Sequence, residues 1–189
     1  MKLPALFSAL HGGRKAALRT RLELCRPGLY RLAFAWCHEP ALADDLAQEA
    51  LIKALARLHQ LRDDTRLRPW LYGILVNVWR DHLRALRPHE DLDSLQEHQL
   101  AHQFTPELAA QQAQQTALVR QAVARLPLGQ REVLTLVDLE DCSYAEVAGI
   151  LSLPMGTVMS RLCRARARLR QQLAPNRVPR RLPALRVVK

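Results

Sequence analysis

Apolar residues recur at intervals of three and four along most of the chain, which is the spacing of one face of an α-helix. Seven segments follow this pattern, at residues 18–37, 40–58, 65–86, 106–126, 128–139, 144–151 and 157–173. No long run of β-forming residues interrupts them, and Leu, Ala, Arg and Gln, which dominate the chain, are good helix formers. The pattern predicts an all-α protein.

Prolines and capping residues mark most of the predicted helix boundaries. Pro40 and Pro106 stand in first-turn positions, and Asp64 or Thr65 caps the third helix. A bend is expected at Pro27 inside the first helix. Residues 89–105 are polar, acidic and rich in Gln and His without helical periodicity, which is typical of a linker.

The predicted fold is therefore all-α, with two small helical domains joined by a flexible linker. An N-terminal helical bundle occupies residues 1–87 and the linker occupies residues 88–105. A C-terminal helix-turn-helix domain follows over residues 106–174. The basic, proline-containing tail over residues 175–189 is expected to be disordered.

The positive charge of the chain is concentrated at its C-terminal end. The formal net charge is +10, with 28 Lys and Arg against 18 Asp and Glu, and no acidic residue follows Glu146. Such an asymmetry indicates a polyanionic partner, most simply a nucleic acid, although a solvated basic tail would have the same composition.

The cysteines and histidines do not form a recognisable chemical site. Cys25, Cys37, Cys142 and Cys163 are scattered without a Cys-x-x-Cys pair, so neither a zinc site nor a disulfide framework is indicated, and a reducing cytosol fits. No nucleophile with a base and no Gly-rich phosphate loop is apparent. We therefore predict no catalytic residues, no metal, no cofactor, no small-molecule substrate and no enzymatic activity.

Residues 143–173 have the layout of a helix-turn-helix. The first helix spans residues 144–151, the turn spans 152–156, and Thr157 is expected to open the second helix. In that second helix an apolar stripe recurs at steps of three and four: Val158, Leu162, Ala165, Leu169 and Leu173.

A different face of this second helix carries hydrogen-bond donors and positive charge. Thr157, Arg161, Arg164 and Arg168 step along it, and Ser160 lies near its start. Arginine donates two hydrogen bonds to guanine in the major groove, and neighbouring arginines neutralise phosphates. The face predicts duplex DNA reading; the alternative is a helical hairpin whose arginines are simply solvated.

A second candidate surface lies on the helix at residues 65–86. Its outer stripe combines Trp70, Gly73, Asn77, Arg80 and Arg84, beside a predicted buried stripe of Leu71, Leu75 and Val78. Aromatic rings stack on bases and cations follow the backbone, so the stripe suits single-stranded DNA. Core packing explains the tryptophan equally well.

The preceding helix groups polar side chains that lack the partners needed for catalysis. Asp44, Asp45, Gln48 and Glu49 lie together, with no histidine or second acid pair at useful spacing. A polar face for docking a protein is therefore the favoured interpretation.

These segments resemble, in order and spacing, the conserved motifs of bacterial RNA polymerase sigma factors. Residues 44–51 (DDLAQEAL) resemble the core-binding motif, and residues 68–77 (RPWLYGILVN) with 80–84 (RDHLR) resemble the promoter-melting helix. Residues 126–133, 143–148 (SYAEVA) and 154–162 (PMGTVMSRL) resemble the second conserved domain. With only two domains, the chain is similar to the extracytoplasmic-function group.

The resemblance implies a role for each surface. Asp45, Leu46, Gln48 and Glu49 would dock on the clamp helices of the largest polymerase subunit. Unpaired bases of the minus-ten element would be held by Leu61, Arg62, Trp70, Asn77, Arg80 and Arg84. Duplex minus-thirty-five DNA would be read by Thr157, Ser160, Arg161, Arg164 and Arg168.

The resemblance also implies partners. The chain would contact core RNA polymerase, through the clamp helices and the flap of the polymerase, and promoter DNA. It would also contact an anti-sigma factor, often membrane-bound. The linker would run toward the RNA exit path. Met159 and Cys163 depart from the family pattern near the reading helix, which leaves the exact minus-thirty-five sequence open. The rival readings are a helix-turn-helix repressor that binds duplex operator without polymerase, a nucleic-acid enzyme and an RNA-binding adaptor.

Overall fold

The computed structural model describes residues 3–86 and 110–174, with side chains for residues 13–86, Lys15 excepted, and 116–174. These residues are almost entirely helical and contain no strand, so the all-α prediction is confirmed for the described part of the chain. Seven α-helices occur in it: α1 (Leu3–Cys37), α2 (Pro40–Ala56), α3 (Leu67–Leu86), α4 (Ala110–Ala124), α5 (Leu128–Asp138), α6 (Tyr144–Leu151) and α7 (Met155–Leu173).

Several helix boundaries differ from the predicted ones. α1 includes the apolar segment that precedes residue 18 and continues through Pro27. Asp63, rather than Asp64 or Thr65, is the cap before α3, because its carboxylate accepts hydrogen bonds from both the backbone amide and the hydroxyl of Thr65. This side-chain turn starts a short 3₁₀ helix at Asp64–Arg66, and α3 begins directly after it.

The first domain packs α2 and α3 against α1. The buried face of α2 is formed largely by alanines, which allow the helix backbones to approach closely: Ala43, Ala47, Ala50 and Ala54. α3 contributes the predicted stripe of Leu71, Leu75 and Val78, all of them buried as expected. Each fully buried leucine of this kind stabilises the fold by about 1.5–3 kcal/mol relative to exposure.

The second domain contains the predicted helix-turn-helix. α6 ends at Ser152, which adopts a left-handed conformation with φ of 56°, and the next amide, of Leu153, donates to the Ala148 carbonyl. α7 starts at Met155, two residues before the predicted start, because Pro154 supplies the carbonyl that accepts from the amide of Thr157. Val158, Leu162 and Ala165 are buried as predicted.

A reciprocal cap fixes the start of α6. The Ser143 hydroxyl accepts from the Glu146 amide, and the Glu146 carboxylate accepts from the Ser143 amide at 2.8 Å. The Ser143→Ala substitution is expected to lower the free energy of unfolding by about 1 kcal/mol. Chemical denaturation at neutral pH measures this loss, and Ser152→Ala, outside the cap, is not expected to reproduce it through this mechanism.

The same cap predicts a pH dependence. The hydrogen bonds from Ser143 lower the pKa of Glu146 below its usual value. Its stabilising contribution is therefore present above the unfolded-state pKa and is lost as the pH falls through the folded-state pKa. The difference in stability between the native chain and Ser143→Ala should accordingly shrink on acidification; a constant difference would contradict the role of Glu146.

The two domains pack directly against each other. α1 contacts α5 and α3 contacts α6, so that one apolar cluster continues through both domains. The predicted linker and tail lie outside the described residues, and the exact domain boundaries stay a prediction. None of the described helices is both long and apolar enough to cross a lipid bilayer.

Candidate nucleic-acid interface

The outward face of α7 carries three of the predicted duplex-reading residues. Burial of the opposite stripe leaves Ser160, Arg164 and Arg168 exposed. The guanidinium of Arg164 lies back along the helix, where it donates to the carbonyl and the hydroxyl of Ser160 at 3.2 and 3.3 Å. These bonds hold the arginine parallel to the helix axis while it remains open to solvent.

Arg161 and Thr157, predicted on the same face, are only partly exposed. Arg161 extends over the first turn of α5. A Cβ atom added at Gly129 would stand 2.5 Å from the Nη1 atom of Arg161. Because that distance is shorter than a non-bonded contact permits, the missing side chain of Gly129 is what admits the guanidinium. The structure thus separates Arg161 from Arg164 and Arg168.

One further arginine of α7 connects two helices of the second domain. Arg166 forms an ion pair of 2.5 Å with Asp138 near the end of α5. Met155 and Met159 are exposed at the start of α7, and Cys163 is exposed farther along it. The surface around the arginines is therefore partly apolar, a property that the charge pattern alone did not predict.

The predicted single-strand surface is only partly exposed. Asn77 and Arg84 face solvent on α3, and Arg84 forms an ion pair of 2.6 Å with Asp81. Trp70 is half-buried against the apolar core. In the preceding loop, Arg62 is exposed whereas the side chain of Leu61 is buried, so Leu61 stabilises the loop from within rather than facing a ligand.

Arg80, the central member of this surface, faces the second domain. Its guanidinium lies 3.5 Å from the carboxylate of Glu132 on α5, and only 26% of its side chain is exposed. Glu132 is itself buried, and its Oε1 atom has no hydrogen-bond partner among the described residues. Burial raises the pKa of this carboxyl group, and Arg80 opposes that shift more strongly than any other cation.

A second buried charge on α5 also crosses between the domains. Arg131 donates to the backbone carbonyls of Leu126 at 3.0 Å and Trp36 at 2.6 Å, and to that of Ala124. These carbonyls stand near the C-terminal ends of α1 and α4, where the helix dipole favours a cation. Burial lowers the pKa of Arg131 to about 10, so the residue remains charged at neutral pH.

The loop after α5 supplies a third interdomain contact, which we call the Glu140 cluster. The buried carboxylate of Glu140 binds Arg31 at 2.7 Å and Arg68 at 3.1 Å, and accepts a hydrogen bond from the Tyr72 hydroxyl. Burial raises the pKa of Tyr72, which keeps the phenol protonated as a donor. Gly28 admits the cluster, since a Cβ there would lie 3.0 Å from both the carboxylate and the phenol.

Sequence reasoning missed this set of interdomain contacts. The only available signal was the pair Arg131-Glu132 inside an otherwise apolar segment of α5, since charges at such positions are buried only when they are paired. No sequence pattern distinguishes their partners on α1 and α3 from other residues of those helices.

The docking face predicted on α2 is exposed in three of its four members. Asp45, Gln48 and Glu49 face solvent, whereas Leu46 is 2% exposed and lies in the core, so the prediction that Leu46 contacts a partner disagrees with its position. Ile52 and Leu55, in contrast, are 60% and 44% exposed. They extend the acidic face with an apolar one.

Within the described residues, no three His, Cys, Asp or Glu side chains gather as metal ligands. The surfaces that remain to be explained are thus the arginine face of α7, the outer face of α3 and the acidic and apolar face of α2. All three are suited to macromolecular partners.

Two family models match the chain, one in each helical domain. Residues 22–88 match sigma-70 region 2, and residues 116–169 match sigma-70 region 4. Among curated proteins, the chain is 36% identical to RNA polymerase sigma-H factor of Pseudomonas aeruginosa, over 76% of this chain and 79% of that protein. It is 34% identical to the ECF RNA polymerase sigma factor EcfG of Rhodopseudomonas palustris, over 81% and 83%.

Solved structures give the same assignment. The chain resembles the sigma factor RpoE of Bartonella quintana in complex with the anti-sigma factor NepR, with a TM-score of 0.70, 26% identity and coverage of 84% of this chain and 97% of that one. It also resembles CnrH in complex with the cytosolic domain of CnrY, with a TM-score of 0.62, 25% identity and coverage of 87% and 92%. The chain therefore belongs to the sigma-70 family, as an RNA polymerase sigma factor of the extracytoplasmic-function group.

Proposed function

We propose that this sigma factor binds core RNA polymerase and directs promoter-specific initiation through two separate DNA contacts. The first domain takes the minus-ten element as a melted strand, and the second reads the minus-thirty-five element as duplex. The observation that carries the proposal is the presence, on one chain, of an exposed arginine face on α7 and an exposed acidic and apolar face on α2. Two weak contacts on one chain reinforce each other by effective concentration.

The second domain reads duplex DNA through α7. Arg164 and Arg168 are exposed on one face and can reach base edges or phosphates when the helix enters the major groove. Thr157 and Ser160 at the start of the helix contact the backbone. Arg161 joins them if its guanidinium swings from Gly129 into the groove.

The first domain holds unpaired bases along α3 and the loop before it. Asn77, Arg62 and Arg84 are exposed and supply hydrogen bonds and positive charge. The indole of Trp70 offers a partly exposed ring, while Leu61 fixes the loop from within. Removing a base from the duplex costs a few kcal/mol of free energy. Stacking and hydrogen bonds of this kind offset that cost.

The exposed face of α2 is proposed to dock on the clamp helices of the polymerase. The polar part of the face is formed by Asp45, Gln48 and Glu49. The apolar part is formed by Ile52 and Leu55, whose exposed surface would become buried on association. Nothing in the described part of the first domain covers these side chains. The remaining polymerase contacts, at the flap and along the RNA exit path, belong to the second domain and the linker.

The combined change Gln48→Ala plus Glu49→Ala is expected to weaken binding to core polymerase by about tenfold, equivalent to 1.4 kcal/mol. Both side chains are exposed, so the fold itself should not change. Fluorescence anisotropy of labelled protein titrated with core polymerase measures the affinity. The matched control is Glu23→Ala plus Gln121→Ala on α1 and α4, which removes the same groups from exposed positions; an equal loss there would argue against the docking face.

The proposed function as a whole is tested by transcription in vitro. Purified protein and core polymerase should together start transcripts from the promoter of the protein's own operon, and core polymerase alone should not. A helix-turn-helix repressor, the alternative function, would bind the duplex without polymerase and support no initiation. Failure to bind core polymerase under any condition would remove the sigma-factor role.

We further propose that an inhibitory protein binds this chain and that the chain acts in the cytosol. Both similar structures are complexes, one with an anti-sigma factor and the other with the cytosolic domain of CnrY. An anti-sigma factor of this chain, membrane-bound in some relatives, would then hold it away from polymerase until a signal arrives. Copurification with the product of a neighbouring gene for a membrane protein tests this partner.

A further inference from the structure

The loop before α3, at residues 61–64, is tied to α1 by two arginines. The guanidinium of Arg14 forms a fork with the Asp64 carboxylate: its Nη2 atom donates to Oδ1 at 2.6 Å, and its Nε atom donates to Oδ2 at 3.2 Å. The same Nη2 atom donates to the Leu61 carbonyl at 3.1 Å. Arg21 donates to the Asp64 carbonyl at 2.9 Å. The first and last residues of the 61–64 loop are therefore both bound to one helix.

The position of these arginines on α1 explains why both reach the same loop. Arg14 and Arg21 are seven residues apart, which is about two turns of an α-helix, so they lie on one face. Leu18, between them, and Leu22 are buried in the core of the first domain. Because this side of α1 is packed against the domain, the two guanidinium groups are held on a rigid support.

Arg62 lies between the two points of the loop that Arg14 contacts. Its side chain is exposed, whereas the preceding Leu61 is buried and has its carbonyl bound by Arg14. The carboxylate of the following Asp63 is engaged with Thr65. The backbone is thus restricted on both sides of Arg62, while its own side chain is left open to solvent.

We propose that Arg14 and Arg21 are positioning residues for minus-ten recognition. They fix the shape of the 61–64 loop, so that Arg62 meets the unpaired strand in one orientation. The proposal rests on the proposed function, because it uses Arg62 as a DNA-binding residue. A loop that is ordered before binding loses less conformational entropy when the strand arrives. Both arginines precede the residues that match sigma-70 region 2, so the role falls on a segment outside that match.

A simple charge effect would have a different consequence. Arg14 lowers the pKa of the Asp64 carboxyl group, so both members of the pair are ionised at neutral pH. If the pair acted on DNA only through its charges, loss of the cation would weaken binding and loss of the anion would strengthen it. Positioning predicts that either loss weakens binding, because each breaks the same fork.

The test compares Arg14→Gln, Asp64→Asn and the double variant, each added until core polymerase is saturated. Fluorescence anisotropy reports binding to the labelled non-template strand of the protein's own promoter. Each single change should weaken binding about two- to fivefold, as for loss of an exposed ion pair. The double variant, whose net charge is that of the native chain, should bind as weakly as either single variant. The preference for the native strand over strands with single-base changes in the minus-ten element should fall in all three.

Arg26→Gln is the matched control. It also breaks an exposed ion pair of α1, of 2.7 Å, but the partner is Asp44 on α2 and not the loop. Strand affinity and base preference should stay at their native values in this variant. A loss equal to that of Arg14→Gln would show that any ion pair of the first domain has the effect, and would contradict a positioning role.

Hydrogen exchange of the free chain reports the loop in the absence of DNA. The amides of Leu61, Thr65 and Arg66 are hydrogen-bonded within this segment. They should exchange faster in Arg14→Gln and in Arg21→Gln, while the thermal unfolding midpoint of the domain changes little. Exchange at the native rate would show that the arginines do not order the loop. This measurement does not depend on the sigma-factor role.

The strand-binding results can overturn the proposal in two further ways. Tighter binding by Asp64→Asn, or native binding by the double variant, would reduce the effect to charge. Faster exchange with unchanged strand affinity and base preference would show that the shape of the loop does not matter for DNA. If the native protein with core polymerase neither bound the strand nor initiated transcription, the proposed function itself would fail, and the exchange result would still describe the loop.

Discussion

Replacement of Trp36 by alanine is expected to lower the free energy of unfolding by about 3–5 kcal/mol. The indole is completely buried in α1 where the two domains meet, and its Nε1 atom donates to the hydroxyl of Thr135 at 2.8 Å. Alanine leaves a cavity bordered by helices of both domains and removes the hydrogen bond. Urea denaturation followed by far-ultraviolet circular dichroism measures the loss.

Trp36→Phe separates the two contributions. Phenylalanine keeps much of the buried area but loses the hydrogen bond and part of the ring, so the loss is expected to be clearly smaller than that for alanine, although above the roughly 1 kcal/mol of a hydrogen bond alone. The Thr135 hydroxyl keeps other bonds, to the carbonyls of Arg131 and Glu132 at 2.8 and 3.2 Å. Equal losses for alanine and phenylalanine would show that packing at this position matters less than the burial indicates.

Arg164→Ala is expected to weaken binding to the minus-thirty-five duplex by about 1–3 kcal/mol and to relax the preference at one base pair. The side chain is exposed and held along α7 by Ser160, so its removal should leave the fold intact. Competition between the native promoter and single-base variants, measured with polymerase holoenzyme, separates base reading from general affinity.

Arg170→Ala is the matched control for this change. It removes the same charge from an exposed position on the same helix, six residues away. Loss of a phosphate contact would lower affinity equally for all sequences and reduce the salt dependence of binding. If Arg164→Ala behaves in that way too, the residue positions the helix and does not read a base.

The local structure of the chain was largely predictable from its sequence. The apolar spacing located every described helix after residue 18, and α6 has the predicted bounds, because Ser143 and Glu146 form a cap that can be recognised in the sequence. The inward stripe of α7 was also predicted, since helical periodicity assigns Val158, Leu162 and Ala165 to one face.

What could not be predicted is how faces pair across the fold. Leu46 and Leu61 lie within segments that the family resemblance assigns to binding, but periodicity does not say which members of such a segment face inward, and both are buried. Arg80 and Arg161 were assigned to open surfaces because the sequence does not reveal the neighbouring Glu132 and Gly129. Because packing between domains brings together residues that are far apart in the chain, local sequence patterns do not indicate these contacts.

The bare backbone at Gly129 connects the supporting helix α5 to the proposed recognition helix α7. A side chain at this position would meet the Arg161 guanidinium, which would have to leave its place on α5. If Arg161 contacts DNA as proposed, a substitution at Gly129 would alter promoter preference although the sequence of α7 stayed the same. Under the proposed function, selectivity would then depend on two helices, and variation at one small residue of α5 would offer a route to new regulatory targets.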